Sequence, residues 1–147
     1  MQHEELYDIL QAWSPIKVLK ISRCSIAHFW FGTLLKDLEA LEMNDLQTEL
    51  VNSIIRTISL NAGRNLRRLS IAGCVHASLT AVLFIAVYLT SLEYLDVSRC
   101  PGLADVPLFM LENLRSTLRY LNVANSNVSA DTVDALRLMM PNCEIVH

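Results

Sequence analysis

Glycine is scarce, four residues in 147, and no two of them are adjacent. A phosphate-cradling loop gathers glycines within one turn so that backbone N–H groups can reach the ligand, and no such loop is present. Charged residues make up only 18% of the chain, and a net charge of −3 gives no electrostatic reason to expect a nucleic-acid partner. The opening Met1-Gln-His-Glu-Glu is acidic and lacks the basic region that begins a secretory signal. The greasiest run, Leu79 to Leu89, is 11 residues long with Thr80 inside it. A membrane-spanning helix needs about 20 apolar residues, so this run reads as a buried helix and no membrane contact is expected. Cysteines number four, without the two closely spaced pairs that zinc requires. Cys24-x-x-x-His28 and Cys74 with His76 come nearest, and neither has a second pair to complete a tetrahedron. The carboxylates Glu4, Glu5, Glu39, Glu42, Glu93 and Asp96 are scattered or laddered, and no pair is marked out for acid–base chemistry. The chain is therefore not expected to be an enzyme, with no catalytic residue, metal, cofactor or small-molecule substrate.

What is present is a repeat. Leu92-Glu-Tyr-Leu95-Asp-Val97-Ser-Arg-Cys100 follows the template L-x-x-L-x-L-x-x-C. It recurs from Leu66 to Cys74 and from Leu118 to Ser126, a step of 26 residues each time. Fainter copies run from Ile16 to Cys24 and from Leu38 to Leu46, and a truncated sixth begins at Cys143. A fixed period in the twenties with this pattern marks a leucine-rich repeat. The expected fold is α/β: a short right-handed horseshoe with parallel strands on the concave face and helices on the convex face. Residues 16–147 would carry about five repeats and the sixth strand. Residues 1–15 would form an N-terminal capping helix, with Leu6, Ile9, Leu10 and Trp13 on one stripe and Pro15 ending it. A shortened product of a longer solenoid would look the same.

Helices are expected near Thr48–Leu60, with Leu50, Ile54, Ile55 and Ile58 inward, and at Ser78–Leu89, Asp105–Leu114 and Ser129–Met140. A helix or turn is expected at Ala27–Lys36, which carries Phe29-Trp30-Phe31. Gly63 reads as a left-handed stop, Ser78 and Ser129 as N-caps, and Pro107 as a first-turn residue. Cys24, Cys74 and Cys100 share one place in their repeats, where a small buried group is wanted. Reduced thiols in the cytosol or nucleus fit better than disulfides.

Alternation along each strand puts three columns on the concave surface. The first is Val18, Ala40, Arg68, Tyr94, Tyr120; the second Lys20, Glu42, Ser70, Asp96, Asn122; the third Ser22, Asn44, Ala72, Ser98, Ala124. Before them runs Lys17, Glu39, Arg67, Glu93, Arg119, alternating in sign, either a ladder of cross-strand pairs or a partner-reading rim. Arg68, Tyr94 and Tyr120 stand together, and Arg and Tyr are types enriched in binding hot spots. Either Arg68 simply stacks on Tyr94, or the cluster binds a protein partner, with Asp96 and Asn122 beside it orienting the partner's donors.

The cysteine at the ninth position, the 26-residue step and the tail Leu138-Met-Met-Pro-Asn-Cys-Glu-Ile resemble the cysteine-containing class of leucine-rich repeats. That class is familiar from F-box/leucine-rich-repeat proteins, whose horseshoe selects substrates for a Skp1–cullin ubiquitin ligase. Similar horseshoes without an F-box include the antagonist-of-mitotic-exit-network type and substrate receptors of cullin-2 ligases. The resemblance implies protein recognition, with Skp1 or cullin components as possible partners and a cytoplasmic or nuclear location. No F-box is expected in the 15 residues before the first repeat, and Leu46 and Ser126 depart from the cysteine pattern. A scaffold subunit of a larger complex, or a fragment of a longer repeat protein with no ubiquitin link, is the alternative.

Overall fold

The computed structural model describes residue 12, residues 15–23 and residues 35–147, the side chains of 106 and 107 excepted. The expected capping helix over 1–15, apart from Ala12 and Pro15, lies outside the described residues, as do Cys24, His28 and Phe29-Trp30-Phe31. Six three-residue strands form one parallel sheet in chain order: β1 Val18–Lys20, β2 Ala40–Glu42, β3 Arg68–Ser70, β4 Tyr94–Asp96, β5 Tyr120–Asn122 and β6 Glu144–Val146. Among the described residues, α-helices alternate with the later strands: α1 Val51–Ala62, α2 Leu79–Tyr88, α3 Asp105–Leu108 and α4 Ala130–Met139. The register places Val18, Ala40, Arg68, Tyr94 and Tyr120 side by side, as the repeat alignment predicts. Strand β6 departs from it by one residue: Glu144 pairs with Tyr120 and Ile145 enters the core row, where a sixth repeat starting at Cys143 would have placed Ile145 and Val146 respectively.

The core follows from the template. Its first, fourth, sixth and ninth positions are buried in the repeats that start at Leu38, Leu66 and Leu92, giving continuous rows such as Leu41, Leu69, Leu95. Each repeat alone has too little apolar surface to exclude water, and stacking neighbours supplies the rest. At the β1 edge Leu19 is only half-buried, having one neighbouring strand.

The ninth position does more than fill space. The thiol of Cys74 donates to the Met43 carbonyl at 3.0 Å, and that of Cys100 to the Ile71 carbonyl at 3.2 Å. Ser126 makes the same bond, its hydroxyl donating to the Val97 carbonyl at 3.0 Å. In each case the acceptor is the sixth residue of the preceding repeat, so a short donor here satisfies a buried carbonyl that would otherwise cost free energy. Serine thus replaces cysteine without loss of the bond. Leu46 has no donor to offer.

The eighth position carries a constraint that the apolar pattern does not announce. Arg23, Asp45, Gly73, Arg99 and Asn125 all have positive φ, between 56° and 72°. For residues other than glycine this left-handed backbone costs roughly 1–2 kcal/mol. In the first four of these positions the conformation aims the N–H at the next repeat: Arg23 N–H donates to the Asn44 carbonyl at 3.1 Å, and Asp45 to Ala72, Gly73 to Ser98 and Arg99 to Ala124 at 2.8–2.9 Å. The hydrogen-bond ladder therefore runs on past the strands. Gly73 also lets Arg99 reach over it to Asp45 at 2.8 Å, because a Cβ there would lie 2.1 Å from the Asp45 carboxylate.

Four expectations about the helices are corrected. Gly63 is not left-handed; its φ is −56°, and it permits close approach of α1 to the end of α2. Helix α1 begins at Val51, not Thr48, because the Thr48 hydroxyl accepts the Leu50 N–H and holds a turn first. Ser78 is extended as a cap should be, yet its side chain does not cap α2. Asn52 of α1 instead accepts both the Ser78 N–H and hydroxyl, at 3.1 and 3.2 Å, tying the two helices together. The stretch 105–114 is not one α-helix but α3 followed by a 3₁₀ helix, Phe109–Leu114. Leu108, Leu111 and Leu114 are buried at a spacing of three, which a three-residue turn aligns and an α-helix would rotate away. Ser129 caps α4 as expected, accepting the Thr132 N–H at 3.2 Å.

Candidate functional site

The concave face is built by the first and third residues of each strand, the middle ones facing the core, and it carries the expected cluster intact. Strand pairing sets Arg68, Tyr94 and Tyr120 one strand apart, and their planar groups stack. The Arg68 guanidinium carbon lies 4.2 Å from the Tyr94 ring centre. The two tyrosine rings are 4.6 Å apart and 3° from parallel. These spacings match the strand separation of about 4.8 Å, so the backbone itself sets the stack. Partial burial, then the nearby Asp96 carboxylate, holds the Tyr94 phenol above its ordinary range. Among the described residues no carboxylate lies within ion-pair distance of Arg68.

Asp96 and Asn122 are adjacent, as expected, but are partly committed to their own chain. Asp96 accepts the Ser98 N–H at 2.9 Å and the Asn122 amide at 3.3 Å. Asn122 in turn accepts the Ala124 N–H at 3.0 Å. Both shape the turn after the strand and retain spare lone pairs or protons for a ligand.

The structure adds a groove that column-by-column reading did not find. A concavity of about 450 Å³ extends over β1–β4, with Val18, Ala40, Glu42, Asn44, Arg68 and Tyr94 among its lining residues. Tyr120 and Asn122 flank it. The signal was present in the first column, where Val18 and Ala40 leave room beside the long Arg68 side chain. Lys20 and Glu42 form an ion pair at 2.9 Å along one wall.

The alternating rim resolves into separate pairs rather than a continuous ladder. Lys17 bonds Glu39 at 2.7 Å, and Arg67 bonds Glu93. Arg119 turns instead to the Ser116 carbonyl at 2.9 Å. The hydrogen bond from Lys17 lowers the Glu39 carboxyl below its usual range and raises the lysine correspondingly.

Cys74, Cys100 and Cys143 are free and buried. Burial pushes the thiols of Cys100 and Cys143 up from 9.0 to about 11, so at neutral pH they are hydrogen-bond donors rather than nucleophiles. A folded-state value above the unfolded one means that the folded chain holds the proton more tightly. Its contribution to stability is complete below pH 9 and is lost as pH rises toward 11. Urea unfolding at pH 7, 9 and 10.5 should show this fall, and Cys100→Ala should reduce it. An equal fall in the variant would exclude the thiol as a cause.

Comparison with known proteins gives the fold. No family model and no curated relative matches the sequence. The chain is similar to the structure of a leucine-rich-repeat protein of Leptospira interrogans, with TM-score 0.66 and 21% identity over 96% of this chain. The architecture is a leucine-rich-repeat solenoid. The match covers 33% of the Leptospira chain, so this chain spans about a third of that protein's length. A structure of the Mex67:Mtr2 subunits from Chaetomium is also similar, with TM-score 0.55 and 14% identity over 99% of this chain and 89% of that one. Among the described residues, no helix is long and apolar enough to cross a membrane.

Proposed function

We propose that the chain is a protein-interaction module whose concave sheet binds a partner at Arg68, Tyr94 and Tyr120, flanked by Asp96 and Asn122. The observation that carries the reading is the stack itself. Three large planar side chains are held in register on a rigid sheet, so little rotamer entropy remains to be lost on binding. The polar end of Arg68 is left without a carboxylate partner among the described residues. The fold supports the reading because a solenoid offers an extended curved surface to a ligand. Within it, the resemblance to F-box/leucine-rich-repeat proteins suggests substrate recognition for a cullin-type ubiquitin ligase in the cytoplasm or nucleus.

The test is affinity capture of the tagged chain from its native cells, with mass spectrometry, for the wild type and for Tyr94→Ala plus Tyr120→Ala. Stoichiometric Skp1 or a cullin adaptor identifies a ligase receptor. A protein lost from the capture in the double variant maps to the concave face. A partner set untouched by the double variant, with folding preserved, overturns the concave assignment.

A scaffold reading is favoured by one feature of the convex side. Leu79, Leu83 and Val87 are exposed at a spacing of four along α2, and Leu60 of α1 is exposed as well. Single exposed apolar residues are ordinary, whereas a helical stripe is the form of a subunit contact. The Chaetomium structure is itself one of subunits. Loss of partners in Leu83→Arg but not in the concave variant would select this reading.

A further inference from the structure

The stack on the concave face is unfinished on one side. From β5 to β3 its successive members are Tyr120, Tyr94 and Arg68, and the next two places in the same column are Ala40 and Val18. The guanidinium has two faces, of which Tyr94 covers one. The other turns toward the place above Ala40, where, among the described residues, the column supplies only a methyl group. The groove of about 450 Å³ lies over this place.

We propose that the step over Ala40 receives an aromatic side chain of a protein partner, stacked on the open face of Arg68. This rests on the concave-binding reading and specifies its ligand. A ring inserted there would continue the existing spacing of 4.2–4.6 Å and complete a four-membered stack. Arginine sandwiched between two rings keeps its N–H edge available for hydrogen bonds while both faces make cation–π contact. Val18, 59% exposed, is the apolar wall beyond the ring. Glu42 gives the place its polarity. One carboxylate oxygen meets Lys20 at 2.9 Å and the other accepts the Asn44 amide at 3.2 Å, leaving a lone pair on each. That suits a ring carrying a donor, the hydroxyl of tyrosine or the N–H of tryptophan, over phenylalanine. A nucleobase is also flat, but its phosphate would approach Glu42 and Asp96 on a chain of net charge −3.

The experiment pans a phage-displayed linear peptide library on the full chain. Selected peptides, and a single-stranded oligonucleotide, are then measured by fluorescence anisotropy against wild type, Ala40→Phe, Arg68→Lys and Tyr120→Ala. Ala40→Phe fills the step with the chain's own ring, and circular dichroism melting verifies its fold. Arg68→Lys keeps the charge without the plane. The expected result is a selected set that requires one tyrosine or tryptophan. Replacing that residue by leucine, or introducing Ala40→Phe, should weaken binding at least tenfold, with Arg68→Lys also weaker. Peptides sensitive to Tyr120→Ala but indifferent to Ala40→Phe would overturn the inference and leave the concave reading standing. Peptides indifferent to every concave change would overturn both. Oligonucleotide binding that competes at this step, without any aromatic peptide, would overturn the inference in favour of a base.

Discussion

Gly63→Ala is expected to destabilise the protein by about 3 kcal/mol, at the upper end of the usual cost of overpacking. A Cβ at this position would stand 2.5 Å from the Tyr88 carbonyl oxygen and 2.3 Å from that of Ser59. Both obstacles are backbone, so no side chain can swing aside: the last turn of α1, which holds Ser59, would have to distort, and α1 and α2 would have to separate at their C-terminal ends. The result is informative because the backbone angle alone points the other way. With φ at −56°, an alanine here would ordinarily stabilise by about 0.4–1 kcal/mol through the unfolded state. Chemical denaturation with a two-state fit gives the sign directly. A stability equal to or above wild type would show that the helices are not in the close contact described.

Leu95→Ala should cost about 3 kcal/mol, within the range for emptying a buried leucine site. Leu95 is 1% exposed at the centre of β4, with Leu69 on one side and Leu121 on the other. In a solenoid each repeat is stabilised largely by its two neighbours, so a cavity here weakens two interfaces at once. Leu19→Ala is the matched comparison, since Leu19 occupies the same place in β1 with a strand on one side only and is half-buried. It should cost about 1 kcal/mol by the smaller apolar area removed. Equal losses in the two variants would contradict the edge-to-centre gradient, and urea midpoints at constant slope suffice to compare them.

Much of this molecule was legible before folding, and the reason is geometric. A parallel sheet repeats one pairing, so the 26-residue step aligning Leu66, Leu92 and Leu118 also aligns Arg68 with Tyr94 and Tyr120. Column membership, and with it the concave cluster, follows from alternation along strands of known register. The strength of the signal at Ser126 lies in its hydroxyl, which a purely apolar reading of the ninth position undervalues.

Other features depend on distances between atoms that no period encodes. The role of Gly63 turns on where α2 ends, a matter of helix packing rather than local conformation. The switch from α3 to a 3₁₀ turn was written in the three-residue spacing of Leu108, Leu111 and Leu114, but it competes with the helical period until the core selects it. The left-handed eighth position hides because arginine, aspartate, glycine and asparagine all fill it, and only the ladder bonds to the next repeat reveal why. The rim charges alternate regularly in sequence, yet Arg119 donates to the Ser116 carbonyl while Glu93 pairs with Arg67, since an exposed ion pair contributes little to fix a side chain. The chain thus determined its repeat, the register of β1–β5 and the first two outward columns by itself; the third column was expected outward too, but Ala72 and Ser98 are buried where the chain turns away from the sheet. Tertiary packing decided the helix termini, the partners of individual polar groups and the groove beside Arg68, because each of these depends on side chains brought close from different repeats.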